Sequence, residues 1–236
     1  MENTDNNNIR REKPHRKWLL KPAQLIVLSF LATILIGTLL LALPIANRDG
    51  HWLSFVDALF TATSAVCVTG LVVVPTALTF TGFGQAILLL LIQIGGLGLM
   101  TLSSLVMVLL GRKLTLKDRL ALQEALNRDE MTGVVRLVKV ILFTTLMIEG
   151  IGALLLMPVF VVNNGGIGVW QAVFTAISAF CNAGFDILGT ASNPFGSLTA
   201  YTGNVVVTLT VMMLIFLGGI GFAVISDVLR CKFRIG

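Results

Sequence analysis

The stretch "TATSAVCVTG", residues 61–70, is small and polar, ends in glycine, and lies between long apolar runs. A second stretch, "TAISAFCNAG", residues 175–184, follows 114 positions later. At that offset Ala58, Phe60, Thr61, Ala62, Ser64, Ala65, Cys67 and Gly70 match Ala172, Phe174, Thr175, Ala176, Ser178, Ala179, Cys181 and Gly184. Pro44 and Pro158 match at the same offset, each at the end of an apolar run. Allowing a nine-residue insertion in the second copy, "IGGLG" (94–98) matches "LGGIG" (217–221). The chain therefore reads as a tandem of two similar units.

The apolar surroundings decide what kind of unit this is. Of 236 residues, 56% are hydrophobic and 12% charged, and the mean hydropathy is +0.90. Soluble domains carry about a quarter charged residues, so this composition belongs to the membrane class. Spanning a bilayer takes about 20 apolar residues. Four segments satisfy that, Ala23–Ala46, Phe83–Leu110, Leu137–Val162 and Asn204–Val228, and all are read as helices. The first is too long for a signal peptide core and is read as a retained span. Trp52–Val74 and Val169–Leu188 are semi-apolar, and suit a short helix that enters the membrane, turns and returns. The expected fold is an all-α integral membrane protein of two tandem, parallel helix–re-entrant pore loop–helix repeats. It has four transmembrane helices and two pore helices. In chain order these are a tail (1–22), a first repeat (23–110), a loop (111–136), a second repeat (137–228) and a tail (229–236).

Charge sets the expected orientation. The net charge is +5, but 16 of the 17 Lys and Arg residues flank the apolar spans on one side, with Arg48 alone on the other. This pattern reads as topology, with both termini and the central loop in the cytoplasm, and not as a nucleic-acid surface. Cys67, Cys181 and Cys231 have neither disulfide nor zinc-ligand spacing, and Cys67 and Cys181 read as small packing residues. The sequence has no G-x-x-x-x-G-K loop and no convincing nucleophile–base pair, so no enzyme activity is expected.

The chemistry of the repeated stretch follows from its residues. Phe55 to about Ser64 reads as a short helix with Ser54 as N-cap and Asp57 in the first turn. Its C-terminal end directs partial negative charge into the membrane. An extended backbone through Val66, Cys67, Val68 and Thr69 turns carbonyls toward an axis, and Gly70 supplies a left-handed turn. Such carbonyls replace the water around a permeating cation. The second copy offers Phe180, Cys181, Asn182, Ala183 and Gly184, and Gln171 stands where the first copy has Asp57.

The segments "TATSAVCVTGL", "LIQIGGLGLMTLSS", "QEALN" and "AISAFCNAGF" resemble the membrane subunit of Ktr-type potassium uptake systems, in the Trk/Ktr/HKT superfamily. The resemblance runs from about Trp18 to Arg230. It implies a potassium-selective filter with one glycine per loop, at Gly70 and Gly184. Filter carbonyls follow at Val66–Thr69 and Phe180–Ala183. It also implies sodium-stimulated potassium uptake across the plasma membrane, with K+ as cargo, Na+ as activator and no tightly bound cofactor. The implied partners are membrane lipid, a second copy in a dimer, and a cytoplasmic nucleotide-binding regulatory subunit, with no nucleic acid. The family has four such repeats and this chain two. It is therefore expected to act as a pore subunit or the N-terminal half of one, and the alternative is a non-conducting membrane assembly module. A secondary transporter of another solute is weaker, since the spans lack a cluster of charged binding residues.

Three other features carry expectations. Glu149, inside the third span, is read as a structural hydrogen-bonding group to a neighbouring helix, ahead of a role in transport. Gly95, Gly96 and Gly98, with Gly218, Gly219 and Gly221, are read as close-packing positions. In the central loop, Thr115–Asp118 has capping-box spacing, and Leu116, Leu120 and Ala121 form an apolar stripe. A helix there either docks a regulatory subunit or lies on its own membrane domain.

Overall fold

The computed structural model describes residues 22–109 and 130–220. The expected central-loop helix, Gly221, Cys231, Trp18 and both tails lie outside the described residues. Among the described residues the α-helices longer than one turn are, in order, α1 (Pro22–Ala42), α2 (Phe55–Val66), α3 (Gly82–Leu109), α4 (Glu130–Asn164), α5 (Ile167–Phe180) and α6 (Val205–Ile220), with a single α-turn at Thr76–Thr79. The fold is all-helical: among the described residues, β-type pairing is confined to a single bridge between Asn47 and Phe80.

Packing divides the helices into two triplets. α1, α2 and α3 pack mutually, as do α4, α5 and α6, and the triplets meet through α3 and α5. Within each triplet a glycine admits a leucine. A Cβ on Gly37 would stand 2.7 Å from Leu91 Cδ1, and one on Gly152 the same distance from Leu214 Cδ1. Trp170 Nε1 donates to Gln85 Oε1 at 2.8 Å and ties the second triplet to the first.

The distribution of side chains runs against that of a water-soluble core. Buried positions on α2 are Ala58, Thr61, Ala62, Ser64, Ala65 and Val66, a small-residue stripe at helical spacing. Large apolar residues face outward instead: Leu28, Leu31 and Leu35 on α1, Leu142, Phe143, Leu146 and Leu154 on α4, and Leu209, Met213 and Phe216 on α6. Water-soluble monomers rarely expose contiguous apolar surface on this scale. Small residues on the buried face of α2, with large apolar residues on the outer faces of α1, α4 and α6, suit helices packed in hydrocarbon. Ile141–Asn164 of α4 is long and apolar enough to cross a membrane, and shorter apolar helices run over Val27–Ala42, Gly82–Gly98 and Val205–Ile220.

The structure differs from the sequence reading in several places. α1 stops at Ala42, where a 3-10 turn over Pro44–Ala46 takes over. Asn47 Nδ2 then closes the helix end by donating to the carbonyls of Leu41 (3.1 Å) and Leu43 (2.8 Å). Pro158 does not end its helix as Pro44 does. α4 continues through it to Asn164. The extra turns are held by Asn163 Nδ2 on the Val159 carbonyl and by Phe160 packing on Tyr201, ring centroids 4.9 Å apart. α4 also begins at Glu130, seven residues before the expected span.

Candidate functional site

α2 and α5 end in the same way. At the first, Val68 N–H donates to the Ala65 carbonyl (3.3 Å) and Thr69 N–H to that of Ser64 (2.9 Å). At the second, Asn182 N–H donates to the Ala179 carbonyl (3.1 Å) and Ala183 N–H to that of Ser178 (2.8 Å). Every partner is displaced by 114 positions. This 6→1 and 5→2 pair is the Schellman helix ending, with Cys67 and Cys181 as C-caps. The residue that follows must be left-handed, and here it is Val68 (φ 56°) and Asn182 (φ 59°). Gly70 (φ 73°) and Gly184 (φ 72°) return to the same region two residues later.

This geometry corrects the expected extended run. Val66 and Phe180 are the last residues of their helices, and Cys67 (φ −83°, ψ 0°) and Cys181 (φ −71°, ψ −6°) are still helical. The cause is the Schellman pair, which keeps the helix intact through the cysteine and puts the whole reversal into three residues. Ser54 occupies the N-cap position of α2, but its side chain makes no capping bond.

The ten candidate residues fall into two environments. Cys67, Thr69, Asn182 and Gly184 are exposed, and Val68 and Gly70 partly so. Val66, Phe180, Cys181 and Ala183 are buried. The two loops meet at their glycines: a Cβ on Gly70 would lie 2.6 Å from the Ala183 carbonyl oxygen and 3.3 Å from Gly184 Cα.

Beyond Gly184 the chain doubles back along α5. Ser178 Oγ donates to the Phe185 carbonyl (2.6 Å), and Gln171 Nε2 to the Ile187 carbonyl (3.2 Å). Ser178 and Gln171 are two turns apart, roughly 10 Å at 1.5 Å per helical residue, and the step from Phe185 to Ile187 covers at most about 7 Å of it, the reach of the Gln171 side chain making up the rest. In the first loop Ser64 does a related job, its Oγ accepting from Thr69 Oγ1 at 2.9 Å. The serines were visible as a matched pair in sequence, but no role was read from them.

The glycine motifs on α3 and α6 seat the helix ends. A Cβ on Gly95 would overlap the Val66 carbonyl oxygen, and one on Gly218 would overlap that of Phe180. A Cβ on Gly96 would stand 2.7 Å from Cys181 Sγ. Close packing is thus the role of Gly95, Gly96 and Gly218, whereas Gly219 has open space beside it. Behind the second loop, Gln93 Nε2 of α3 donates to both carboxylate oxygens of Glu149 on α4, at 3.0 and 3.2 Å. Glu149 therefore makes the expected hydrogen bond to a neighbouring helix. Cys181 Sγ stands 3.8 Å from Gln93 Oε1 and 4.0 Å from Glu149 Oε1, so the pair also abuts the loop.

The family model for TrkH, a cation transport protein, matches residues 10–235. The chain is 45% identical over 211 residues to the potassium/sodium uptake protein NtpJ of Enterococcus hirae, covering 89% of this chain and 46% of that protein. It is 45% identical over 216 residues to the Ktr system potassium uptake protein B of Bacillus subtilis, covering 91% and 47%. The Ktr system potassium uptake protein B of Vibrio alginolyticus is 41% identical over 208 residues, covering 88% and 44%. The chain spans about half the length of these curated relatives. With nearly all of its residues matched by the family model, the chain belongs to the TrkH family of cation transport proteins.

Proposed function

We propose that this chain supplies two filter loops to a potassium uptake pathway across the cell membrane. The observation that carries the proposal is the convergence of two loops with the same hydrogen bonds and the same left-handed residues on Gly70 and Gly184. The chemistry is passive. Backbone carbonyls of residues 67–69 and 181–183 replace water around the ion, those of Val66 and Phe180 being seated against Gly95 and Gly218, and the negative ends of the α2 and α5 dipoles favour a cation at the loops. α2 and α5 act as pore helices of two parallel repeats, with α1, α3, α4 and α6 crossing the bilayer and both termini cytoplasmic. Potassium as cargo, with sodium as stimulating ion, is supported by the printed names of the relatives. A dimer and a cytoplasmic nucleotide-binding regulator complete the proposal. The relatives named for the Ktr system fit a subunit that works with others.

The test is potassium uptake in a bacterium stripped of its own uptake systems. The chain is expressed alone, and also with the part of the Bacillus subtilis relative that it does not cover. Uptake in either setting, abolished by Gly70→Asp and by Gly184→Asp, is the expected result. Uptake unchanged by both substitutions, or none in either setting from correctly inserted protein, overturns the proposal.

A further inference from the structure

A cavity of about 200 Å³ opens beside the two glycines, lined among others by Gly70, Gly184, Thr76, Phe195 and Asp186. Asp186 is the only charged residue between positions 163 and 204. It lies on the limb that returns along α5, where direction alternates from residue to residue. Phe185 and Ile187 are buried, and Asp186 between them is half-exposed and faces the cavity. Its carboxylate is held in place from behind, since Oδ1 accepts the Leu188 N–H at 3.0 Å in an Asx turn. No ion pair to it forms among the described residues. Arg48, the one Lys or Arg residue in the connection between α1 and α3, donates through Nε to the Phe80 carbonyl at 3.1 Å.

We infer that Asp186 makes this cavity a collecting site for a monovalent alkali cation at the outer mouth of the filter. The inference rests on the proposed pathway and adds a place where the ion waits before entering it. The cavity is lined by Gly70, Gly184 and residues that follow them in the chain, and by none of α2 or α5. A fixed carboxylate in a walled recess raises the local concentration of cations, and the benefit fades as salt screens it. Asp186 acts there as a capture residue, with the carbonyls beyond it stripping the water.

The test is Rb+ uptake by Asp186→Asn and Asp186→Glu in the cells described above, with Gly70→Asp alongside. Asp186→Asn is expected to raise the half-saturating Rb+ concentration about 3- to 10-fold, at or below the low end of what a focused field gives because only one charge is removed, with maximal rate within about 2-fold of the parent. Asp186→Glu stays near the parent. Added choline chloride narrows the gap between parent and Asp186→Asn, a response that a purely structural defect does not give. An unchanged half-saturating concentration in Asp186→Asn, while Gly70→Asp abolishes uptake, removes the collecting site and leaves the pathway standing. A loss of maximal rate shared by both Asp186 variants, with no salt dependence, also removes it. Uptake indifferent to Gly70→Asp defeats the pathway itself and the site with it.

Discussion

Gly95 sits so close to the last carbonyl of α2 that a methyl group there would overlap the Val66 oxygen, and Gly218 stands in the same relation to Phe180 at the end of α5. Each long helix that follows a loop therefore carries the seat for the short helix that precedes it. Gly95→Ala or Gly218→Ala must displace backbone, because neither carbonyl is the end of a flexible side chain. A cost of about 1–3 kcal/mol, the range for overpacking, is expected for each. Gly219→Ala meets nothing within 4 Å and gains helix propensity instead, about 0.5–1 kcal/mol. Thermal unfolding of the three variants in detergent checks the order, with Gly219→Ala above the parent and the other two below.

Gly70 and Gly184 share a left-handed backbone but not their surroundings. A Cβ on Gly70 would lie 2.6 Å from the Ala183 carbonyl oxygen, whereas one on Gly184 would make an ordinary 3.5 Å contact with Gly70 Cα. Alanine at either position bears a left-handed penalty of roughly 1–2 kcal/mol. Only Gly70→Ala must in addition move the carbonyl of the opposite loop. Gly70→Ala is therefore expected to depress potassium uptake, and its preference over sodium, more than Gly184→Ala. Equal effects of the two alanines on the potassium-to-sodium uptake ratio contradict this.

Val68 and Asn182 occupy the same left-handed position with unequal comfort. Asn tolerates this region, while a β-branched residue there is an outlier. The reciprocal exchange is expected to be asymmetric. Asn182→Val costs about 1–2 kcal/mol. Val68→Asn loses some packing of a partly buried side chain but relieves the backbone, and leaves stability near the parent. Unfolding midpoints of the two variants decide it, and a symmetric pair of losses counts against strain at Val68.

The parts of this fold that were legible in sequence are those set by composition and spacing. The offset of 114 between the matched stretches placed both short helices, and the apolar runs placed the long ones. The paired glycine motifs signalled close approach, because a helix dense in Gly has little other use for them. What escaped was set by hydrogen bonds made after the chain turns. Nothing in "AVCVTG" distinguishes an extended run from a Schellman ending, since the usual glycine at the left-handed position is replaced by Val68. Pro158 looked like a stop signal by analogy with Pro44. The contact of Phe160 with Tyr201, 41 positions away, belongs to tertiary packing and leaves no local trace. Asp186 drew no reading in the sequence, because its cavity depends on where the returning limb lies.

Glu149, 3% exposed, receives Gln93 from the other triplet and so joins α3 to α4 directly behind the second loop. Removing the carboxylate leaves the partly buried Gln93 amide without its acceptor, a loss toward the lower end of the about 1–3 kcal/mol for an unsatisfied donor. Glu149→Gln keeps an acceptor oxygen in the same place and is expected to retain most of the stability and uptake, whereas Glu149→Ala loses both. If the pair is the source of the effect, Glu149→Ala costs less when Gln93 is already Leu, by an interaction energy of about 0.5–3 kcal/mol. A double-mutant cycle on Gln93→Leu and Glu149→Ala, read by thermal unfolding, measures that coupling. Additive losses place the role of Glu149 elsewhere than in the bond to Gln93. Uptake lost in Glu149→Gln at unchanged stability makes the negative charge itself the requirement.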